Sequence, residues 1–248
     1  MYILSIKGKR WNIAMQHFYF LEKPANFRKS MKVVGYTHSL VPSRKLVKSE
    51  MIHIYLQEHE LSLYLALSEG NRKILRRAQK ESYQVILYKE PSIENLKAFQ
   101  QFYNQFAKRK KIEAIGKSQM ETILLLNEQG ALLLSEIQSF CGQTLCYRLD
   151  IVHEKKAMSY FEATCHATAL PAQLKRPFRY ANRFLIWHNL LHLKEQGFVL
   201  YDMGELTDNR NVRAFKLSFG GQVVHVYSGY IIQSKIRALL LGVQKWRK

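Results

Sequence analysis

F-L-I-W-H-N-L-L-H-L-K-E-Q-G-F-V-L-Y-D-M-G, residues 184–204, is the passage that decides how the chain folds. Apolar residues recur at helical spacing in its first part. With the residues just before it, this reads as an amphipathic helix over 180–196 that stops at Gly197. F-V-L-Y-D-M, 198–203, follows at once and reads as a strand, being rich in aromatic and aliphatic residues. A long helix that delivers the chain into a hydrophobic strand is a crossover onto an existing sheet.

The sheet it crosses onto lies upstream. Residues 131–138, 144–152 and 157–165 read as three strands in an antiparallel meander, with turns at Cys141-Gly142 and at 153–156. Before them, Ser92 caps a helix whose Leu96, Phe99, Phe102, Tyr103 and Phe106 share a face, with Glu94 in its first turn. Ser118 followed by Glu121 has capping-box spacing and opens a helix over 118–128 that stops at Gly130. Y-Q-V-I-L-Y, 83–88, is a strand, and 71–82 is a short, very basic helix. Residues 51–56 and 61–67 read as two strands around a polar turn at 57–60. Downstream, 212–219 is a helical turn or strand, 222–227 a last strand after Gly220-Gly221, and 234–246 a C-terminal helix. Residues 1–50, basic, aromatic and broken by Pro24 and Pro42, are the least legible. The expectation is an α+β chain with a central mixed, mostly antiparallel sheet flanked by helices.

The bulk numbers are compatible with that. The 248 residues include 47% hydrophobic and 12% aromatic positions, enough to bury a core and to exclude an intrinsically disordered chain. Lys and Arg number 38 against 19 Asp and Glu, a formal charge of +19 that draws nucleic acid, phosphorylated molecules or an anionic membrane face. A merely basic soluble protein is the plain alternative. Cys141, Cys146 and Cys165 have neither metal spacing nor an even count, and read as reduced thiols. No apolar run reaches the roughly 18 residues of a membrane span. The stretch 11–21 contains Asn12, Gln16 and His17 and no small-residue cleavage site, so it is not read as a signal peptide. The expected place of action is the cytoplasm, at most leaning on the inner membrane face.

The element order is similar to the GNAT acyltransferase fold, and four words resemble the Fem-like branch of it. They are N-R-K-I-L-R-R-A-Q-K (71–80), F-L-I-W-H-N-L-L-H-L-K-E-Q-G (184–197), F-V-L-Y-D-M-G (198–204) and A-F-K-L-S-F-G-G (214–221). Their joint order is more specific than any one of them, and the match covers about 65–227. Residues 1–64 are then an N-terminal segment, part of a lobe, and 65–248 the acyltransferase domain. The Fem-like family builds peptidoglycan interpeptide bridges from aminoacyl-tRNA. What the resemblance implies is an amide-forming transferase with aminoacyl-tRNA as donor, no bound cofactor, and a sugar-linked or envelope-precursor amine as acceptor. A CoA-dependent N-acyltransferase on a nucleotide sugar or other phosphorylated amine is the second expectation, with acetyl-CoA or another acyl-CoA as donor. A non-catalytic nucleic-acid-binding module on the same fold is the third. The CoA-binding signature, Arg/Gln-x-x-Gly-x-Gly/Ala between a strand and a helix, departs here to R-P-F-R-Y-A (176–181), with Arg179 in place of the first glycine.

Acyl transfer to an amine needs a neutral nucleophile, a stabilised oxyanion and a donor held in line. Lys216 matches the family's motif lysine, implicated in stabilising the developing charge; the plain alternative is a solvated lysine. Glu162 is mid-strand, where period-two alternation places Tyr160, Glu162 and Thr164 on one face, and is a candidate general base. Asp202, at the end of its strand, either acts at the cleft or orients Lys216 or Arg213. Arg176, Arg179 and Arg183, grouped at a helix start, with Arg213, are candidates for phosphate. Arg72, Lys73, Arg76, Arg77 and Lys80 form a like-charged stripe suited to nucleic acid, tRNA above all. The run K-R-K-K at 108–111 reads as a solvated helix end. His188 and His192, an i, i+4 pair, lack a third ligand, so no metal is expected; His166 is a lesser candidate for a proton shuttle. The basic amphipathic segment 234–246 either packs on the core or lies on an anionic membrane.

Overall fold

The computed structural model describes residues 4–8, 13–23, 33–167 and 170–232. In chain order these form β1 (Leu4–Gly8), β2 (Ile13–Tyr19), β3 (Val33–Ser39), β4 (Val47–Tyr55), α1 (Glu60–Ala66), α2 (Glu69–Ala78) and β5 (Gln84–Tyr88). Then follow α3 (Ile93–Lys110), α4 (Lys117–Glu128), β6 (Leu132–Gln138), β7 (Thr144–His153), β8 (Lys156–Thr164), α5 (Ala172–Glu195), β9 (Leu200–Glu205), α6 (Arg210–Leu217) and β10 (Gln222–Ile232). The chain divides into two compact units, Met1–Met51 with Val224–Lys248, and Ile52–Val223. This division is discontinuous in sequence and does not fall at residue 64. The C-terminal helix expected over 234–246 lies outside the described residues.

In the first unit β1 pairs antiparallel with β2, β2 parallel with β3, and β3 antiparallel with β10. Phe18, Leu21, Val34 and Tyr36 make its small core, with Phe18 and Tyr36 stacked at 5.6 Å. The described residues of the stretch that was least legible in the sequence thus lie largely in β-strands.

The second unit carries the crossover. Its strands run β9-β8-β7-β6-β5, with the later part of β4 beside β9. The ladders β5–β6, β6–β7 and β7–β8 are antiparallel, and β8–β9 is parallel because α5 carries the chain back to the same edge. The mixed, mostly antiparallel sheet flanked by helices is therefore the observed architecture. Ile186, Trp187, Leu190 and Leu193 of α5 bury against Ile52, Ile54, Tyr201 and Met203. On the other face Phe99 and Tyr103 of α3 meet Tyr147 and Phe161, at 5.9 and 5.0 Å respectively. Leucine-sized side chains so buried are worth about 1.5–3 kcal/mol each.

Three local expectations are corrected. Residues 61–67 are not a strand but most of α1. The alternating leucines sort as an i, i+4 pair inside, Leu63 and Leu67 at 7% and 2% exposed, and another outside, Leu61 and Leu65 at 58% and 60%. His59 Nδ1 accepts from the Leu61 N–H and starts the helix. α4 begins after Gly116, not at Ser118, with the Gln119 side chain accepting from the Gly116 N–H at 3.1 Å. α5 begins at Ala172, two turns before residue 180, and holds Pro177 inside it. The Ser92 cap is as expected, with Asn95 completing the capping box. No helix among the described residues is long and apolar enough to cross a membrane.

The turn after α6 is the tightest approach in the unit. Gly220 has φ +79°, and a Cβ there would lie 2.2 Å from the Ala66 carbonyl oxygen. Gly220→Ala is expected to cost more than about 2 kcal/mol, from positive-φ strain and backbone collision together. Urea unfolding measures it; an unchanged midpoint would show that the turn relaxes freely.

Candidate functional site

Arg148 pairs with Glu162 and Leu149 with Phe161, but Asp150 pairs with Ser159, so Tyr160 is the extra residue of a β-bulge in β8. The bulge resets the strand's alternation. Ser159 and Glu162 both reach Arg148, and the simple period-two face of Tyr160, Glu162 and Thr164 is broken. The parallel ladder of β8 with β9 spans Lys156–Met158 against Leu200–Asp202. Beyond it β8 runs on to Thr164 and β9 to Glu205, and the two strands part where the bulge begins.

Behind this opening lies a buried ionic network that the sequence reading did not single out. Arg148, 1% exposed, donates from Nη1 to Glu162 Oε2 at 2.5 Å and from Nη2 to Ser159 Oγ at 2.8 Å and the Tyr201 hydroxyl at 3.2 Å. Tyr201 donates to Asp150 Oδ1 at 2.9 Å. Asn189 of α5 donates to Asp150 Oδ2 at 3.2 Å and Ser135 Oγ at 2.7 Å. Burial works against the Arg148 charge, but Tyr201, Glu162 and Asp150 hold the guanidinium well above its ordinary range. Burial pushes the Asp150 carboxyl up to about 6, opposed by Arg148, Tyr201 and Asn189. The signal for this network was present: Y-R-L-D-I, 147–151, puts two opposite charges on one face of an otherwise apolar strand.

Lys216 sits at the opening. Its Nζ donates to the Glu205 carbonyl at 2.9 Å, on the last residue of β9. Gly204 has φ +80°, and a Cβ there would lie 3.2 Å from Lys216 Nζ and 3.9 Å from the Ser159 carbonyl oxygen. The glycine therefore leaves room for the lysine between the parted strands. Lys216 is half-buried, and burial lowers its ammonium below the ordinary range; Glu162, Asp202 and Glu205 oppose that, and Arg148 adds to it. α6 has no fully buried residue, so polar ties place it. Asn71 donates to the Ser218 carbonyl at 3.0 Å and to Ser218 Oγ at 2.8 Å, and Ser68 N–H donates to the same carbonyl.

Asp202 is fully buried. Its Oδ1 accepts from the Gly204 N–H at 2.7 Å and its Oδ2 lies 3.5 Å from His53 Nε2. It shapes the backbone beside Lys216 and does not face the opening with a free carboxylate.

The basic residues are sorted by the fold. Arg72 is committed to the end of α1, donating to the carbonyls of Leu65 at 2.7 Å and Leu67 at 2.6 Å. Lys73 pairs with Glu69 at 2.5 Å. Arg76 and Arg77 on α2 and Lys80 just after it remain exposed, around a shallow depression they share with Lys73 and Gln79. Arg176, Arg179 and Arg183 do not converge. The stretch 176–181 lies inside α5 rather than between strand and helix, so its backbone N–H groups belong to the helix ladder and form no pyrophosphate loop. Arg176 pairs with Glu81 at 2.9 Å, and Arg179 is exposed. Arg183 donates to Asn71 Oδ1 at 2.8 Å and lies 4.9 Å over the Phe215 ring, thereby helping to seat α6. Arg213 is half-buried on α6.

His188 and His192 are half-buried on α5, and burial lowers both. His166, Cys165 and Arg109 line a cavity of about 260 Å³ at the end of β8. Among the described residues no group of three or more His, Cys, Asp or Glu is placed to hold a metal ion.

No protein-family model matches the sequence, and no curated protein sequence is significantly similar to it. Solved structures do share the fold. The structure of FemX superposes with a TM-score of 0.62 at 14% identity, over 80% of this chain and 65% of that one. L-PGS from Bacillus licheniformis superposes with a TM-score of 0.53 at 16% identity, over 86% of this chain and 72% of that one. A C-terminal domain assigned to a lysylphosphatidylglycerol synthetase from Agrobacterium fabrum gives 0.54 at 13% identity, over 86% of this chain and 72% of that one. This chain thus spans under two thirds of the FemX chain. The fold is similar to that of FemX, as the resemblance of the four sequence words implied.

Tyr201→Phe removes the hydroxyl that links Arg148 to Asp150, and is expected to cost about 1–3 kcal/mol. Asp150 titrates at about 6 in the fold against an ordinary 3.8, so its charge weighs on the fold above pH 6 and is relieved as pH falls toward 4. The variant's deficit should therefore be larger at pH 8 than at pH 4.5 in urea unfolding. A deficit independent of pH would mean that the hydroxyl does not support the Asp150 carboxylate.

Proposed function

We propose that this chain is an amide-forming acyltransferase that moves an aminoacyl group from an ester donor onto an amine. The observation that carries the reading is Lys216, its half-buried ammonium held beside Gly204 where β8 and β9 part. A neutral amine attacks the ester carbonyl there, a C–N bond forms, and the carbonyl oxygen takes negative charge. The Lys216 ammonium stabilises that oxyanion, a contribution on the order of 3 kcal/mol for one well-placed donor. The tetrahedral intermediate collapses by breaking the ester C–O bond, and the proton shed by the amine goes to the departing hydroxyl.

Aminoacyl-tRNA is the donor in this reading. The charge of +19 and the open cations Arg76, Arg77 and Lys80 support it, since phosphate-backbone contacts of this kind dominate affinity for nucleic acid. Similarity of fold to FemX and to structures named for lysylphosphatidylglycerol synthesis points the same way. With that donor the reaction belongs in the cytoplasm, and the acceptor is an amine on a sugar-linked or envelope-precursor molecule. The acyl-CoA reading loses its pyrophosphate loop, because 176–181 is helix interior.

Lys216→Met is expected to lower kcat by about 100- to 1,000-fold with little change in KM, measured with charged tRNA and candidate amine acceptors. Full activity in that variant would remove Lys216 from the chemistry and favour a binding module. The triple reversal of Arg76, Arg77 and Lys80 to Glu should raise KM for tRNA at least about tenfold while sparing kcat, most clearly at low salt. Micromolar acetyl-CoA binding by calorimetry, above an ATP control, would instead make acyl-CoA the donor.

A further inference from the structure

The reading of Glu162 as a general base does not fit its surroundings. A base must take up a proton, and a proton on Glu162 would leave the buried Arg148 guanidinium without the carboxylate it meets at 2.5 Å. An unpaired buried charge is costly, so Glu162 is tied to its role as the partner of Arg148. Arg148 is itself fixed from behind by Ser159 and Tyr201, and Tyr201 by Asp150. The side chain of Glu162 is nonetheless 44% exposed, and only Oε2 is taken up by Arg148. Among the described residues, Oε1 has no hydrogen-bond partner and Lys216, tied to the Glu205 carbonyl, forms no ion pair with it. The fold therefore presents at the opening a carboxylate anchored by Arg148, beside Lys216, while the exposed Glu205 lies near the same lysine.

We propose that Glu162 is the seat for the α-ammonium of the aminoacyl donor. This rests on the aminoacyl-transfer reading of the Lys216 site and adds the feature of the donor that the site recognises. An aminoacyl ester carries its ammonium one carbon away from its carbonyl. One molecule can therefore set its ammonium on Glu162 and turn its carbonyl oxygen toward Lys216. An acetyl group has nothing to offer the carboxylate, so the same pair selects aminoacyl over simple acyl donors. At neutral pH an α-amine, with an ordinary pKa near 8, is largely protonated. Glu162 binds it without exchanging a proton, and is a binding residue rather than a base.

The test is binding, separate from turnover. Alaninamide is titrated into the full chain at low salt and followed by amide nitrogen shifts at Tyr160, Glu162 and Gly204, with N-acetylalaninamide as the neutral control. Glu162→Gln keeps an acceptor for Arg148 and removes the charge. It should weaken alaninamide by about five- to tenfold, a range discounted for the partial exposure of the carboxylate, and leave N-acetylalaninamide unchanged. Lys216→Met removes a like charge from the opening and should tighten alaninamide by a few-fold. That second arm holds even if the Glu162 variant folds poorly. Equal affinity of alaninamide for wild type and both variants overturns the seat, while the Lys216 turnover assay still judges the transferase reading. Sensitivity to Glu162 for an ε-amine ligand, Nα-acetyl-lysinamide, but not for alaninamide would also overturn it, placing the acceptor amine there instead.

Discussion

A guanidinium sealed inside a β-sheet governs the second unit. Removing Arg148 from water costs several kcal/mol, and nothing apolar nearby can offset that. The offset comes from two carboxylates, a phenol, a serine hydroxyl and, through Asp150, an asparagine of α5. These groups lie on β7, β8, β9 and α5. For all of them to meet one side chain, β7 and β8 must keep their register, β8 must bulge at Tyr160, and α5 must cross with Asn189 facing the sheet. A one-residue slip would turn Arg148 into the aromatic layer of Phe99 and Tyr103. The charge therefore specifies a register more than it adds stability.

Lys216 is held by a different principle. Its helix buries no residue completely, and its apolar anchorage comes from Phe215, which packs on the core and meets the buried Phe219 at 5.4 Å. Its position comes from hydrogen bonds at the end of α6 to Ser68 and Asn71, from the Arg183–Phe215 contact, and from the absence of a side chain at Gly204.

Legibility in the sequence followed the range of the interactions involved. Elements set by local pattern were readable: the meander of β6, β7 and β8, the Ser92 cap, and α5 running into β9. α1 was misread because its alternating leucines satisfy period two as well as an i, i+4 helix, and only burial against the α5 core decides between them. Lys216 could be singled out as a candidate because its motif, 214–221, is contiguous. Arg148 and Asp150 share one short stretch, but their partners Glu162, Asn189 and Tyr201 lie on other elements, so no single stretch contains the network. The arginine cluster failed for the same reason in reverse. Arg176, Arg179 and Arg183 are close in sequence, yet the helix sends them to Glu81, to solvent and to Asn71.

This sorting bears on what the net charge means. Of the cations that sequence reading grouped together, Arg72, Lys73, Arg176 and Arg183 already have partners within the fold and offer little to a ligand. The exposed remainder, Arg76 and Arg77 on α2, Lys80 just after it and Arg179 on α5, is screened by salt and can act only on encounter and affinity. Around Lys216 the carboxylates of Glu162, Asp202 and Glu205 oppose its desolvation, and the burial of Arg148, Asp150 and Asp202 makes those charges count for more than a surface lysine. The basic residues of this chain thus divide into those the fold uses for its own contacts and those it leaves at the surface, a division that spacing in the sequence does not show.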